Sequence, residues 1–187
     1  MKSVARHGWQ FVSNSGGGRE HSARRLKFAL LPRFTRLALT DDDGLQFLVR
    51  TDDMVIGRDL YTGVSHEVGV HTMTSVIEAV AAEVGADYLT GKVFLDIGAN
   101  IGTSSIAAVK RFGAGRAVSV EPSPDNVRLL HCNVALNDAR DQVTVIQAAV
   151  SNSEGELQLE LNPLNQGETG SASPRAPASS ARASGRR

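Results

Sequence analysis

Apolar residues along the central part of the chain form short runs and helically spaced stripes that alternate. Val93–Ile97 is an apolar run broken by one aspartate, which is typical of a buried strand in a parallel sheet. Arg116–Val120 and Val143–Val150 are the next predicted strands, and Thr103–Phe112 and Pro124–Leu136 are helices between them. Because strands and helices alternate, the pattern predicts an α/β fold with a parallel sheet and right-handed crossovers.

Weaker patterns flank this central part. Leu45–Arg50 follows an Asp-Gly turn signal and is predicted as a strand, with Met54–Ile56 as a second, shorter strand. Thr74–Val84 has an apolar stripe with helical spacing. Glu156–Leu161 alternates between leucine and polar residues, which predicts a half-exposed strand.

Composition restricts the class of protein. The 187 residues are 41% hydrophobic and 21% charged, which is typical of about one globular domain. The single cysteine, Cys132, excludes an intramolecular disulfide and a zinc site built from several cysteines. No apolar run approaches the roughly 20 residues that a membrane-spanning helix needs, so we expect no membrane span.

The formal net charge of zero is a sum of unequal parts. Residues 1–33 carry a net charge of +6, residues 171–187 carry +4, and residues 34–170 carry −10. Both ends are poor in residues that could form a core, so we predict a disordered basic leader over 1–33 and a disordered tail over 171–187. An organellar transit peptide is the alternative for the leader. Residues 34–170 are the predicted domain.

The turn after the first central strand carries the candidate chemistry. In a parallel α/β sheet, ligands bind at the carboxyl ends of the strands, over the first strand-to-helix turn. Here that turn runs from Asp96 to Thr103 and contains Gly98 and Gly102. Glycines there allow a sharp turn, and we expect exposed backbone N–H groups at the helix start to form a nest for a carboxylate or phosphate.

Two acidic residues bear on the choice of cofactor. A dinucleotide site needs Gly-x-Gly-x-x-Gly, whereas this loop has Thr103 in place of the third glycine. Asp96 would repel a pyrophosphate but attract the α-ammonium of S-adenosylmethionine (SAM). Glu121, at the end of the second central strand, can accept both ribose hydroxyls of an adenosine. The sequence therefore favours SAM over NAD, and over a glycine turn that binds nothing.

Other polar clusters are weaker candidates. His131 and Cys132 are adjacent and point apart on a helix, so we expect no metal site there. The run Asp41–Asp43 is predicted to be a solvated turn. His66 and His71 could face the site, although a surface role is the simpler interpretation, and no catalytic base can be named.

Three segments together resemble the FkbM-type SAM-dependent methyltransferases. They are Val93–Gly102, Val120–Asn126 and Asn133–Asn137, with Arg58–Gly63 and Ala148–Asn152 as further support. The resemblance covers about residues 44–170. It implies a Rossmann-like class I methyltransferase fold, in which a parallel sheet carries helices on both faces.

The resemblance also implies roles for individual residues. Asp96, Gly98, Asn100 and Gly102 would line the methionine end of SAM, and Glu121 would bind its ribose. Ala148, within the segment 147–149 after the third central strand, would flank the adenine. The implied reaction is O-methylation of a hydroxyl on a sugar or secondary metabolite, so we expect a small-molecule acceptor, no nucleic acid, and a cytoplasmic location.

The sequence departs from the family toward its C-terminal end. Family members continue with a Lys-x-Asp-x-Glu-Gly segment and further strands, and neither follows residue 170 here. We therefore expect C-terminal strands to be missing, leaving an unpaired sheet edge and exposed apolar surface. The expected cause is truncation or a frameshift. The alternative function is a truncated, non-catalytic remnant that binds SAM.

Overall fold

The structure is a computed structural model that describes residues 17–63, 73–152, 160–161 and 169–170. Its helices are α1 (Gly17–Leu30), α2 (Ile56–Thr62), α3 (Met73–Val84), α4 (Thr103–Lys110) and α5 (Pro124–Leu136), with a 3-10 turn at Leu31–Arg33. Its strands are β1 (Leu37–Asp42), β2 (Leu45–Arg50), β3 (Val93–Ile97), β4 (Arg116–Val120), β5 (Val143–Ile146), β6 (Glu160–Leu161) and β7 (Thr169–Gly170).

The central feature is a parallel sheet in the order β3-β4-β5. Leu95 of β3 lies opposite Val118 of β4, which in turn lies opposite Thr144 of β5. Helices α4 and α5 are the crossover connections between these strands, and they share a hydrophobic core with β4 and β5. Ile106 and Leu130 of these helices are fully buried in that core. The predicted α/β fold with a parallel sheet is confirmed.

The opposite face of the sheet is exposed among the described residues. Val93, Leu95 and Ile97 of β3 are each about 60% exposed, whereas Asp96, which points to the other face, is buried. In the described part of the chain β3 pairs with β4 alone, so its outer edge carries no strand. Within the described residues, this edge and this apolar face of β3 are therefore exposed.

An antiparallel hairpin, β1–β2, packs against α5. Phe47 and Val49 of β2 are buried and belong to the same core as α4 and α5. At the turn of the hairpin, the Asp41 side chain accepts a hydrogen bond from the Gly44 N–H, and Arg111 after α4 pairs with Asp42. The predicted solvated turn is therefore correct for Asp43 alone, because Asp41 and Asp42 are the last residues of β1.

The predicted strand Met54–Ile56 is wrong, because α2 begins at Ile56. Asp53 accepts a hydrogen bond from the Val55 N–H at 2.9 Å, which turns the chain before the helix. At position 57 a Cβ would collide with the Arg50 carbonyl, so a glycine is needed there. Gly63, with φ +71°, ends the helix in the left-handed conformation. Three apolar residues were too short a pattern to distinguish a strand from the first turn of a helix.

Predicted disorder over residues 1–33 is wrong for residues 17–33, which form α1 and the 3-10 turn. Phe28 is 1% exposed, and its ring centroid lies 5.3 Å from that of Tyr61 on α2. Burial of this one aromatic side chain stabilises a helix whose own sequence is mostly polar. Residues 1–16 lie outside the described part of the chain.

The predicted third central strand is too long, since β5 ends at Ile146 rather than at Val150. Its partner β4 ends at Val120, opposite Ile146, so no ladder continues beyond that point. Of the predicted strand Glu156–Leu161, the structure describes Glu160–Leu161, which pairs with β7. The predicted tail over 171–187, His66 and His71 lie outside the described residues.

Candidate functional site

The glycine-containing loop lies at the carboxyl edge of the parallel sheet, between β3 and α4. The N–H groups of Gly98 and Ala99 both donate to the Val120 carbonyl of β4, at 2.8 and 3.1 Å. The Gly102 N–H donates to the Ala99 carbonyl at 2.8 Å, which closes the turn before α4. The loop is therefore anchored to the neighbouring strand as well as to its own helix.

These bonds change the predicted anion nest. The N–H groups of Gly98, Ala99, Asn100 and Gly102 all donate within the protein, the third of them to Glu121. A donor already paired in this way is not free to hold a carboxylate or phosphate. The four amides hold the loop in shape instead. Of them, Gly102 is the one at the helix start, where the sequence predicts a nest, and its N–H is not available to a ligand.

The two glycines are needed for different reasons. Gly98 has φ +80°, and no described atom lies within 4 Å of where its Cβ would be, so that side of the loop is open to a ligand. Gly102 has φ +90°, and a Cβ there would overlap the Leu130 Cδ1 of α5. Gly98 thus leaves room at the site, whereas Gly102 allows close packing of α5.

Glu121 is a buried carboxylate that connects the loop to α5. It is 4% exposed, and its Oε2 accepts a hydrogen bond from the Asn100 N–H at 2.9 Å. Its Oε1 accepts from the Ser123 N–H at 2.9 Å and from the Asn126 amide at 3.2 Å. A carboxylate offers about four acceptor positions, so these three bonds leave about one. The predicted bidentate contact to a ribose would have to displace one of them.

Asp96 is also buried, at 7% exposed, and faces α4. Its Oδ2 accepts a hydrogen bond from the Ser105 hydroxyl at 2.5 Å, and the Ser105 and Ser119 hydroxyls lie 2.6 Å apart. Burial raises the pKa of Asp96, because water no longer solvates the charged form, and the negative charge of Glu121 raises it further. Hydrogen bonds from Ser105 oppose that rise.

The structure brings most of the predicted site residues together. Asp96, Gly98, Asn100 and Gly102 share one loop, and Glu121 contacts that loop directly. Ala148 lies two residues beyond β5, in an exposed segment. Because β5 is parallel to β3 and β4, its carboxyl end lies on the same edge of the sheet.

Sequence reasoning missed the polar side chains that support the loop. Ser105, Ser119, Asn126 and Asn133 are all buried, and each hydrogen-bonds to a loop residue or to a side chain that does so. Their signal in the sequence is a polar residue at a position that the periodicity of the strand or helix assigns to the buried face. Such positions require a partner, because an unpaired buried polar group is unfavourable.

Neither a metal-binding cluster nor a membrane-spanning helix is present among the described residues. No group of three or more His, Cys, Asp or Glu side chains in that part of the chain could hold a metal ion. None of the described helices is both long and apolar enough to cross a membrane.

One family of known proteins matches the part of the chain that contains the loop. Residues 96–183, a little under half of the chain, match the methyltransferase FkbM domain. The predicted family is confirmed over this stretch. The match begins at Asp96 of the loop and continues past residue 170, so it includes part of the segment assigned to a tail.

Two curated relatives are named as methyltransferases. The "Ribosomal protein L11 methyltransferase" of Pelobacter propionicus is 37% identical over 94 residues, which are 49% of this chain and 29% of that protein. The "Methyltransferase sdnD" of Sordaria araneosa is 36% identical over 69 residues, which are 37% of this chain and 27% of that protein. The chain therefore spans less than a third of the length of either relative.

Solved structures of methyltransferases are also similar in part. Methanocaldococcus jannaschii Trm5, in complex with adenosine, matches with a TM-score of 0.44 and 18% identity over 65% of this chain and 32% of that chain. An RNA methyltransferase from Salinibacter ruber, in complex with S-adenosyl-L-homocysteine, matches with a TM-score of 0.36 and 26% identity over 43% of this chain and 50% of that chain.

Proposed function

We propose that the chain is a SAM-dependent methyltransferase that transfers a methyl group to a hydroxyl of a sugar or secondary metabolite. The observation that carries this proposal is the loop Gly98–Gly102, held on the buried carboxylate of Glu121 within the FkbM match. An acid placed at the end of each of two adjacent parallel strands suits a cationic amino acid joined to a nucleoside.

The residues present fit such a cofactor. The open side of Gly98 leaves space for the methionine end, and Asp96 supplies the negative charge that its α-ammonium needs. Asn100 and Gly102 complete this side of the site. Glu121 has about one acceptor position left for a ribose hydroxyl, and Ala148, beyond β5, is placed to flank the adenine.

Bound SAM would supply an electrophilic methyl group on a sulfonium, which is transferred by in-line displacement. The protein contributes orientation, since proximity and alignment provide most of the acceleration in such a transfer. Glu121 fixes the loop through the Asn100 N–H, and the Ser105 hydroxyl hydrogen-bonds to Asp96 and favours its charged form. Both contacts keep the loop preorganised before the acceptor arrives.

The acceptor is proposed from the family resemblance, as a small molecule rather than a nucleic acid. The name of one relative includes a ribosomal protein, so the experiment must also test a protein as the acceptor. A cytoplasmic location belongs to the same proposal.

A non-catalytic SAM-binding module is the second candidate function. The exposed apolar face of β3, formed by Val93, Leu95 and Ile97, favours it. A catalytic domain normally covers both faces of its parallel sheet, because an apolar face in water is unfavourable.

Calorimetric titration of the full chain with SAM tests the cofactor. We expect saturable binding that weakens about tenfold in Glu121→Ala, because this substitution releases the Asn100 N–H. Glu83→Ala, an exposed glutamate on α3, is the matched control and should bind as the wild type does. Absence of binding at millimolar SAM would contradict the proposal.

A second measurement separates the two candidate functions. The chain is incubated with methyl-labelled SAM and either a panel of monosaccharides or ribosomal protein L11. Label in a sugar supports the proposed acceptor class, and label in L11 alone contradicts it. Binding without transfer to either class favours the non-catalytic module.

A further inference from the structure

Two asparagines, Asn133 of α5 and Asn137 directly after it, cover the outer edge of β2. The Asn133 Oδ1 accepts a hydrogen bond from the Leu48 N–H at 2.7 Å, and its Nδ2 donates to the Leu48 carbonyl at 3.3 Å. Asn137 makes the same pair of bonds with Gln46, at 2.9 and 2.7 Å. Each side-chain amide therefore binds one residue of β2 as a neighbouring strand would.

The spacing of helix and strand makes this double contact possible. Residues four apart on a helix are separated by about 6 Å along its axis. Residues two apart on a strand are separated by about 6.6 Å. Asn133 and Asn137 therefore match Leu48 and Gln46, and α5 takes the place of a third strand of the hairpin sheet.

Asn133 has one contact that Asn137 lacks. Its Nδ2 also donates to the Ile101 carbonyl of the glycine-containing loop, at 2.9 Å. An amide nitrogen has two hydrogens, so one can serve Leu48 and the other Ile101. Asn133 is fully buried, so both hydrogen bonds lie inside the protein.

The contact falls next to the bond that Glu121 makes. Glu121 holds the Asn100 N–H, and Asn133 holds the carbonyl of the next residue, Ile101. The loop is thus fixed on both sides of the Asn100–Ile101 segment. Asn100 has φ +50°, a left-handed conformation that asparagine adopts more readily than most residues.

We propose that Asn133 is a positioning residue for the cofactor loop and that it couples the β1–β2 hairpin to the site. The hairpin lies before the matched residues 96–183, and this contact gives it a part in cofactor binding. The inference rests on the proposed function, because its main readout is affinity for SAM.

The experiment compares Asn133→Ala with Asn137→Ala in the full chain. Both variants lose a pair of bonds to β2, so both should have a lower Tm. Affinity for SAM, measured calorimetrically at a temperature where both are folded, should fall about tenfold in Asn133→Ala. In Asn137→Ala it should change less than twofold. Asn133→Ser, which keeps a short polar group, is the second variant if Asn133→Ala does not fold.

Hydrogen exchange of the loop amides makes the test independent of SAM. Amides 98–102 should exchange faster in the Asn133 variant and at the wild-type rate in Asn137→Ala. Equal SAM affinities and equal loop exchange in the two variants would overturn the inference. A wild-type chain that binds no SAM, with loop exchange that still distinguishes the variants, would contradict the proposed function and leave the positioning role supported.

Discussion

At the scale of single residues, the site is stabilised by polar groups that are buried together. Asp96, Ser105 and Ser119 form a chain of hydrogen bonds between β3, α4 and β4. When Asp96 is charged, Ser105 must donate to it, so Ser119 donates to Ser105. The direction of both hydrogen bonds in this chain therefore depends on the charge of Asp96.

Removal of the Ser105 hydroxyl should make SAM binding more sensitive to acid. Burial already raises the pKa of Asp96, and Ser105→Ala removes a bond that lowers it, so the pKa should rise further. Only the charged carboxylate attracts the α-ammonium, so we expect affinity to fall as the pH drops through the raised pKa. Calorimetry from pH 5 to pH 9 should show this loss at a higher pH than in the wild type.

Ser104→Ala, at the neighbouring position of α4, is the control, and its pH profile should match the wild type. An unchanged profile in Ser105→Ala would show that Asp96 does not contribute through its charge. The raised pKa of Asp96 also affects the stability of the protein. A carboxyl whose pKa is higher in the folded than in the unfolded state makes the free energy of unfolding fall as the pH rises through that pKa. Asp96→Asn should remove that dependence.

The two glycines of the loop should respond differently to alanine. Gly102→Ala places a Cβ against Leu130 at φ +90°, so it should lower the free energy of unfolding by about 2–4 kcal/mol. Gly98→Ala introduces the conformational strain without the overlap, so it should lower the free energy of unfolding by about 1–2 kcal/mol. Denaturant unfolding measures both effects.

The effects of the two substitutions on SAM affinity should have the opposite order to their effects on stability. Gly98→Ala fills the open side of the site and should weaken SAM binding more than its stability loss implies. Similar SAM affinity in Gly98→Ala and the wild type would contradict the role assigned to that open side.

At the scale of elements, helices here are fixed by a few contacts to their neighbours. Helix α5 begins at a Ser123 N-cap, whose side chain accepts from the Asn126 N–H at 3.4 Å, and Asn133 near its end then holds β2. Helix α1 packs against α2. Its described core contact is Phe28 against α2.

Loss of the Phe28 ring should detach α1. Phe28→Ala removes a side chain that is 1% exposed, and removal of such a ring costs about 3–5 kcal/mol. We expect the amides of α1 to exchange rapidly while those of β3–β5 keep their protection. Leu26→Ala, 65% exposed on the same helix, should leave the exchange of α1 unchanged. Loss of protection in the central sheet of Phe28→Ala would contradict a local effect.

At the scale of the whole molecule, one face of the parallel sheet carries the core and the other is bare in the described structure. Helices α4 and α5 cover Ala117 and Val143, and the hairpin packs outside α5. The β3 side chains Leu95 and Ile97 point to the bare face. Burial, and with it hydrophobic stabilisation, is therefore concentrated on one side.

Substitutions on the two sides of the sheet should differ in their effect on stability. Leu95→Ser, on the exposed face, should change the free energy of unfolding by less than about 1 kcal/mol. Ile106→Ala, at a fully buried position of α4, should lower it by about 2–5 kcal/mol. Leu95→Ser should also reduce binding of a hydrophobic dye. A loss in Leu95→Ser as large as in Ile106→Ala would show that the face is covered in solution.

The sequence predicted what depends on local pattern. The bounds of β3 and β4, the Ser123 cap of α5 and the loop between Asp96 and Thr103 agree with the structure because periodicity and capping act within a few residues. It failed for α1, whose helix depends on the burial of Phe28, and for the end of β5, which depends on the length of β4. Both failures concern partners that are distant in the chain.

The sequence by itself determined the alternation of strands and helices, the two acids at strand ends and the family to which that loop is similar. Only the tertiary structure decided what these groups contact: that Glu121 holds the Asn100 N–H, that Asp96 faces Ser105, and that Asn133 joins β2 to the loop. The physical reason is range. Backbone pattern is fixed by neighbours in sequence, whereas a buried polar group takes its partner from whichever element packs against it.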